Sequence, residues 1–369
     1  MEHHNRAAAF ITHIGTATPE HRISQEEAAR FMVTMLDPDE RDARRLHAIY
    51  RSTAIDHRHA VLPDFRQHAD FTFFSPNGQA PPTTRQRMEV YRQHATDLGI
   101  AAIRDGIPED LVAGVTHLIT VSCTGMYAPG MDIELIERLG LPHQTQRSNI
   151  LFMGCYASFN AMKLADAICR AQPDARVLVV SVELCSLHFQ KDLSDDNLIA
   201  NALFADGAGA LLIQSQPTGG WNLSLDRFHC DLAVQGKEEM AWQVMDAGFE
   251  MKLSSYVPEV LREGVDRLIS GLLASQPIAL EGIAHFAIHP GGRKILEVIE
   301  QRLKLPRERN APAYSVLRQC GNMSSATILF VLKALLQPLQ READGEALLS
   351  MAFGPGLTLE SALMRLHYV

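Results

Sequence analysis

The chain has 369 residues, the length of two or three ordinary domains, and its 46% hydrophobic and 21% charged residues, with 24 Gly and 18 Pro, exclude the collagenous, low-complexity and disordered classes. Against 43 Asp plus Glu stand 34 Lys plus Arg, and the resulting formal charge of −9 argues against a nucleic-acid reader. Six dispersed cysteines (Cys123, Cys155, Cys169, Cys185, Cys230 and Cys320) without a C-x-x-C pair argue against a disulfide scaffold and a zinc site, and point to reduced thiols in the cytoplasm. The apolar stretch before Thr12 is too short for a signal-peptide core, and no later run approaches a membrane span, so neither export nor a membrane partner is expected.

In chain order, a short apolar opening (Ala7 to Ile14) precedes a helix started by Ser24 with Glu26 and Glu27 in its first turn. An Arg- and His-rich stretch runs to Arg66, and Ser75 to Thr84 reads as loop from its Pro and Gly content. From Met88 onward amphipathic helices alternate with apolar strands, which predicts a layered α/β protein.

An internal repeat organises this region. Thr116 to Leu141 and Ala284 to Leu305 share one layout of apolar strand, Gly-bearing loop and amphipathic helix. A second strand–turn–helix unit follows each, Ser148 to Ile168 in the first half and Tyr314 to Leu336 in the second. The halves close with Ala175 to Leu184 and Ala202 to Ile213, and with Ala347 to Met364, which divides the chain into residues 1–220 and 221–369. A ligand site at the seam would draw residues from the strand ends of both halves.

Three polar residues fall at matching places. Cys155 follows the predicted strand Ile150 to Met153 and precedes a long helix, so free N–H groups and the helix dipole are expected to lower its pKa and favour attack on a carbonyl; the alternative is a buried small hydrophobe. His289 ends the predicted strand His285 to Ile288 beside Pro290, Gly291 and Gly292, where it could pair with Cys155 or donate to an oxyanion. Asn322, after Gly321, stands at the start of the predicted helix Ser324 to Leu336 and taken alone reads first as its N-cap, a reading weakened by the matching strand-end positions of the three residues.

GCYA around Cys155, HPGG from His289, GNMSSA from Gly321, FADGAGA from Phe204 and FGPGLTLE from Phe353 resemble, in order and spacing, the type III polyketide synthase or chalcone synthase-like family over residues 85 to 369, with a looser match before. The resemblance implies a thiolase fold of duplicated αβαβα halves, a homodimer, and Cys155, His289 and Asn322 as catalytic triad. It implies an acyl-CoA starter and malonyl-CoA as substrates, decarboxylative Claisen condensation followed by cyclisation, and no metal, flavin or nicotinamide cofactor. It also carries over a gating role for Phe204, an acyl-site loop around Gly354 and Gly356, a cavity-lining Ser324, and an elongation cavity lined by Cys123, Cys185 and His188. Arg44, Arg45 and Arg51 resemble the family's basic cluster at the tunnel mouth, with a solvated helix face as the alternative. Departures are Ser158 and Phe159 where relatives carry small glycines, Ala128 beside Tyr127 where plant relatives carry a methionine, and Met251 where a second gating phenylalanine is expected; the cavity is therefore not that of chalcone synthase itself.

Three alternatives compete with that reading. A ketoacyl-ACP synthase III-like condensing enzyme shares the fold and triad. A papain-like protease shares the order Cys, His, Asn, but its cysteine opens a mature secreted chain. A non-catalytic scaffold subunit would not need all three triad residues.

Overall fold

The computed structural model describes residues 9–67, 69–76, 79–254 and 257–369; part of the opening apolar stretch and Asn77–Gly78 of the Pro-rich loop lie outside the described residues. Among the described residues, strand β1 (Phe10–Ala17) is followed by a small hairpin of β2 (His21–Ser24) and β3 (His57–Ala60), separated by helices Gln25–Leu36 and Glu40–Ser52. Ser24 caps the first of these, accepting from Glu27 N–H while the Glu27 carboxylate receives the Ser24 N–H, the reciprocal pairing that the sequence signals. The strands β4 (His117–Ser122), β5 (Gln146–Leu151), β6 (Arg176–Leu184), β7 (Asp206–Gln214) and β8 (Trp221–Leu232) come next. A second hairpin, β9 (Met240–Met245) and β10 (Gly248–Leu253), precedes β11 (His285–Ile288), β12 (Ala347–Gly354) and β13 (Thr358–Tyr368).

Nine strands form one mixed sheet in the order β11-β12-β13-β8-β1-β7-β6-β4-β5. The join between its two parts is narrow, since β1 meets β8 only through Phe10↔Ser224 and Ile11↔Leu223. The sheet therefore splits into a five-stranded and a four-stranded portion, with helices Ala157–Ala171 and Thr327–Leu336 packed between them. Helix Thr84–Gly106 covers the outer face of the first portion, and helix Val257–Leu273 the outer face of the second. The arrangement is helix, sheet, helix, sheet, helix. Phe159, Met162 and Ala165 of the first central helix are fully buried with Ile328, Leu329 and Leu332 of the second; each large side chain contributes about 1.5–3 kcal/mol of transfer free energy. No described helix is long and apolar enough to cross a membrane.

The repeat is incomplete in one place. Tyr314 to Cys320, expected as a strand, belongs to a helix, Ala311–Cys320, with Pro at its N-terminal end. Proline is pre-organised for the first helical turn, and Ala313, Tyr314 and Leu317 fall on one buried face at helical spacing. Among the described residues the second half thus has no counterpart to edge strand β5, and β11 ends the sheet. The other edge strand is itself displaced from expectation: β5 spans Gln146–Leu151 rather than Ile150 to Met153, and its side chains are half-exposed or exposed, so Cys155 sits four residues beyond its end.

Candidate active site

Cys155 lies in a turn between β5 and helix Ala157–Ala171, with Ala157 N–H donating to Gly154 O at 3.0 Å. Gly154 has φ +90°, and a Cβ there would lie 2.3 Å from Pro355 Cδ. Opposite, a Cβ on Gly354 would lie 2.6 Å from Tyr156 Cδ1 and 3.3 Å from the Cys155 nitrogen. Both glycines are thus required by the close approach of the β12–β13 turn to the cysteine loop. Cys123 fixes that loop from behind: its Sγ accepts the Gly154 N–H at 2.8 Å.

Glu183, fully buried on β6, anchors the same region. One of its oxygens accepts Cys123 N–H and Thr124 Oγ1, each at 2.9 Å, and the other accepts the Ser325 hydroxyl. Ser325 further contacts Ser181 Oγ at 2.8 Å, and Ser158 Oγ donates to its carbonyl at 2.6 Å. Ser158, at a position where a glycine is expected, therefore ties the cysteine helix to the second half of the chain, and Phe159 beside it packs in the core.

The second half brings its residues up on two loops. His289 N–H donates to Met351 O at 2.8 Å, continuing the β11–β12 ladder one residue past the strand. Asn322 is strapped to the segment around Phe204: its N–H donates to Leu203 O and its carbonyl accepts Ala205 N–H, both at 2.9 Å. Gly321, at φ +71°, allows that approach, since a Cβ would lie 3.0 Å from Leu203 O. The Asn322 side chain does two jobs. Its Oδ1 accepts Ser324 N–H at 2.9 Å, an N-cap-like contact, while its Nδ2 donates to Gly291 O at 3.3 Å beside His289.

These elements converge on one cavity of about 220 Å³, lined at once by Cys155, His289, Asn322, Phe204, Met251 and Phe353. Both ring nitrogens of His289 are buried without a hydrogen-bond partner among the described residues. Burial pushes the imidazole down to about 3 and the Cys155 thiol up to about 12; the Glu183 charge adds to the latter, and hydrogen bonds from Ser324 and Asn322 oppose it. Cys155 lies one residue before the N-cap Tyr156 of that helix, and burial acts on its thiol in the direction opposite to the one expected from the helix terminus.

Residues 1–217 match the family model for the N-terminal domain of chalcone and stilbene synthases, and residues 229–367 match that for their C-terminal domain. The chain belongs to the chalcone and stilbene synthase family. A Mycobacterium tuberculosis protein named as an alpha-pyrone synthesis polyketide synthase-like protein is 31% identical, over 96% of this chain and 90% of that one. Type III polyketide synthase C of Arabidopsis thaliana is 30% identical, over 97% and 95%. The crystal structure of PKS-I from the brown alga Ectocarpus siliculosus superposes with a TM-score of 0.89 at 27% identity, covering 99% of this chain and all of that one. This protein is a type III polyketide synthase of thiolase fold, a CoA-thioester-dependent acyltransferase.

Within the synthase, several expected cavity residues sit elsewhere. Cys123 holds the Gly154 backbone and does not line the cavity. His188 is buried and fully engaged: its Nε2 bonds to Thr124 O at 2.6 Å, its Nδ1 accepts Phe249 N–H at 2.9 Å, and its ring stacks on Phe249 at 4.2 Å. It faces, with Cys185, a smaller chamber of about 40 Å³ that shares Phe204 and Met251 with the main cavity. Ser324 is buried at φ +46° beside the Cys155 sulfur, but not on the cavity wall. Gly356, at φ +90°, turns the β12–β13 connection.

The arginine cluster does not line the cavity. Arg44 pairs with Glu40 at 3.3 Å, Arg45 with Asp42 and Asp195, and Arg51 is exposed one residue before the lining Ser52. The cations on the wall are Arg293 and Lys294. Sequence reasoning passed over them, although they directly follow HPGG; a helix N-terminus carrying two cations, unfavourable to its dipole, was the available signal.

Proposed function

We propose that this synthase transfers an acyl group from a CoA thioester to Cys155, then extends it with malonyl-CoA by decarboxylative Claisen condensation, and releases a cyclised product. The observation that carries the reading is the cavity in which Cys155, His289 and Asn322 meet while both His289 nitrogens lack partners. A buried polar group left unpaired costs about 1–3 kcal/mol, so a fold retains one where a ligand supplies the partner.

In loading, the Cys155 proton passes to His289 as the sulfur attacks the starter carbonyl, and the imidazolium returns it to the departing CoA sulfur. Thiolate and imidazolium form together, so each supplies the countercharge that burial otherwise denies the other. In extension, the C–carboxylate bond of the malonyl group breaks and its electrons move onto the thioester oxygen. Donors from His289 and Asn322 stabilise that enolate, each worth about 10²–10³ in rate in a dry site. The enolate carbon then attacks the Cys155 thioester and the cysteine sulfur leaves. No resident metal or redox cofactor is needed in any step, because CoA thioesters supply the activation. We assign the CoA phosphates to Arg293 and Lys294, the cations on the cavity lining.

We further read residues 1–220 and 221–369 as two halves of a soluble cytoplasmic enzyme that acts as a homodimer. Edge strand β5 with exposed Met126, Leu151 and Met153, the last two residues from Cys155, supports association of two copies across this edge. The test is intact-protein and product mass spectrometry with malonyl-CoA and a panel of acyl-CoA starters. An acyl adduct on Cys155 and starter-plus-acetate products are expected; their absence across the panel refutes the reading.

A further inference from the structure

Part of the cavity wall is built by the β9–β10 hairpin, and its register sorts its side chains by period 2. Met240 pairs with Leu253, Trp242 with Met251 and Val244 with Phe249, so these residues share one face. Met240, Met251 and Leu253 line the main cavity, Trp242 and Met251 the smaller chamber, and Phe249 carries the His188 stack. Gln243, Glu250 and Lys252 occupy the opposite face. The inner face offers no hydrogen-bonding group to the cavity: the Trp242 N–H, its sole donor, is engaged by Cys123 O at 2.7 Å.

The rest of the lining follows the same division. Ile199, Leu203, Phe204, Val257 and Phe353 add apolar surface. The Thr53 hydroxyl is used within the protein, donating to Tyr50 O at 2.8 Å. Ser52, Ser254, Arg293 and Lys294 are each at least partly exposed. Among the described lining residues outside the triad, Arg293 keeps a buried Nε without a hydrogen-bond partner, 3.6 Å from Glu297 Oε1, whereas the Met240–Met251–Leu253 face gives a bound starter nothing to bond with.

We infer that the starter is a saturated aliphatic acyl-CoA whose tail lies along the Met240–Met251–Leu253 face, and that Met251 sets how far the tail reaches. The inference rests on the synthase reading above and names its starter class. A hydroxyl on the tail or on an aryl starter would enter this wall without a partner, and an unpaired buried hydroxyl lowers acceptance about tenfold or more. Met251 belongs to both chambers, and its flexible thioether side chain adapts to tails of differing length where a rigid ring would not.

The experiment measures the rate of Cys155 acylation per unit concentration for saturated acyl-CoAs of increasing length, for the ω-hydroxy counterpart of the best of them, and for a hydroxyaryl-acyl-CoA. Expected are loading of the saturated chains, a loss of about tenfold or more for the hydroxylated partner, a narrowed gap in Met251→Ser, and a shorter preferred chain in Met251→Phe. Met251→Leu, which keeps the volume, should keep the preference. The matched pair in the wild-type enzyme decides the class without any variant: equal rates, or preference for the hydroxyaryl starter, overturn the inference. An unchanged gap in folded Met251→Ser overturns the role of Met251. Malonyl-CoA decarboxylation in the same preparations separates the two failures. A chain that decarboxylates malonyl-CoA but prefers aryl starters loses only this inference, whereas one that neither loads nor decarboxylates loses the synthase mechanism.

Discussion

The two loops that meet in the cavity are built on opposite terms. Around Cys155, hydrogen bonds are satisfied: Cys123 holds Gly154, and Glu183 takes three donors and so fixes the 123–124 segment and Ser325. Around His289 the backbone is tied to Met351, yet the imidazole is left with both nitrogens bare. The difference assigns the work. The first half fixes the position of the atom that bonds to substrate, and the second keeps an unmet hydrogen-bonding capacity for charge that appears only during reaction, which is where such capacity lowers a barrier.

The sharpest way to break this contrast is to remove the fixed atom. Cys155→Ala should abolish the acyl adduct and all product, read by intact-protein mass; a full-strength adduct on the variant would move the nucleophile elsewhere. Asn322 probes the boundary, because its oxygen serves the fold and its nitrogen the site. Asn322→Asp keeps the acceptor for Ser324 N–H, loses the amide donor and buries a carboxylate, so some thermal stability is lost, and in the folded variant malonyl-CoA decarboxylation should fall about 10²-fold or more while starter loading falls far less. Equal loss of loading and decarboxylation would make Asn322 a structural cap alone.

How far the sequence carried depends on what each residue type can reveal. Strands β4, β6, β11 and β12 were legible because both faces are buried and their apolar runs are nearly continuous. The edge strand β5 was misplaced because its exposed faces carry no such run, and Tyr314 to Cys320 was misassigned because a short apolar stretch has no distinctive period. The triad was legible from strand-end position together with the family motifs. The latch role of His188 was not, since its partners are a carbonyl and an N–H from segments 64 and 61 residues away, and backbone partners leave no mark on composition. Arg293 and Lys294 were hidden by a different cluster, the surface arginines, whose exposure only packing reveals.

A smaller effect tests how closely the two loops approach. In Gly354→Ala the added methyl meets Tyr156 and the Cys155 nitrogen, while φ −169° at residue 354 is itself acceptable to alanine. The cost is therefore steric, about 1–3 kcal/mol of stability if the cysteine loop is displaced. Acylation of Cys155 should slow about tenfold through the misplaced sulfur. Normal stability together with normal acylation would show that the loop yields freely and that its fixed position is not needed.

The mildest test needs no substrate. His289 is held near 3 in the folded chain by burial, against about 6.5 unfolded, so between those values the unfolded chain binds a proton that the folded one does not. Stability must then fall as pH drops below 6.5, by about 1 kcal/mol per pH unit from this residue. His188, also pushed down to about 3, acts in the same sense, whereas Asp206, raised by burial to about 6, takes up its proton earlier in the folded chain and opposes the trend. The net slope of the wild type therefore mixes these groups, and the difference between two proteins isolates one. His289→Gln removes the proton site where no hydrogen bond is lost, so the variant should gain about 2 kcal/mol on the wild type between pH 7 and pH 4.5, measured by urea unfolding at each pH. A constant difference across that range would mean that His289 accepts its proton in the folded state, and that the bare imidazole of the resting site already has a charged partner in the Cys155 sulfur.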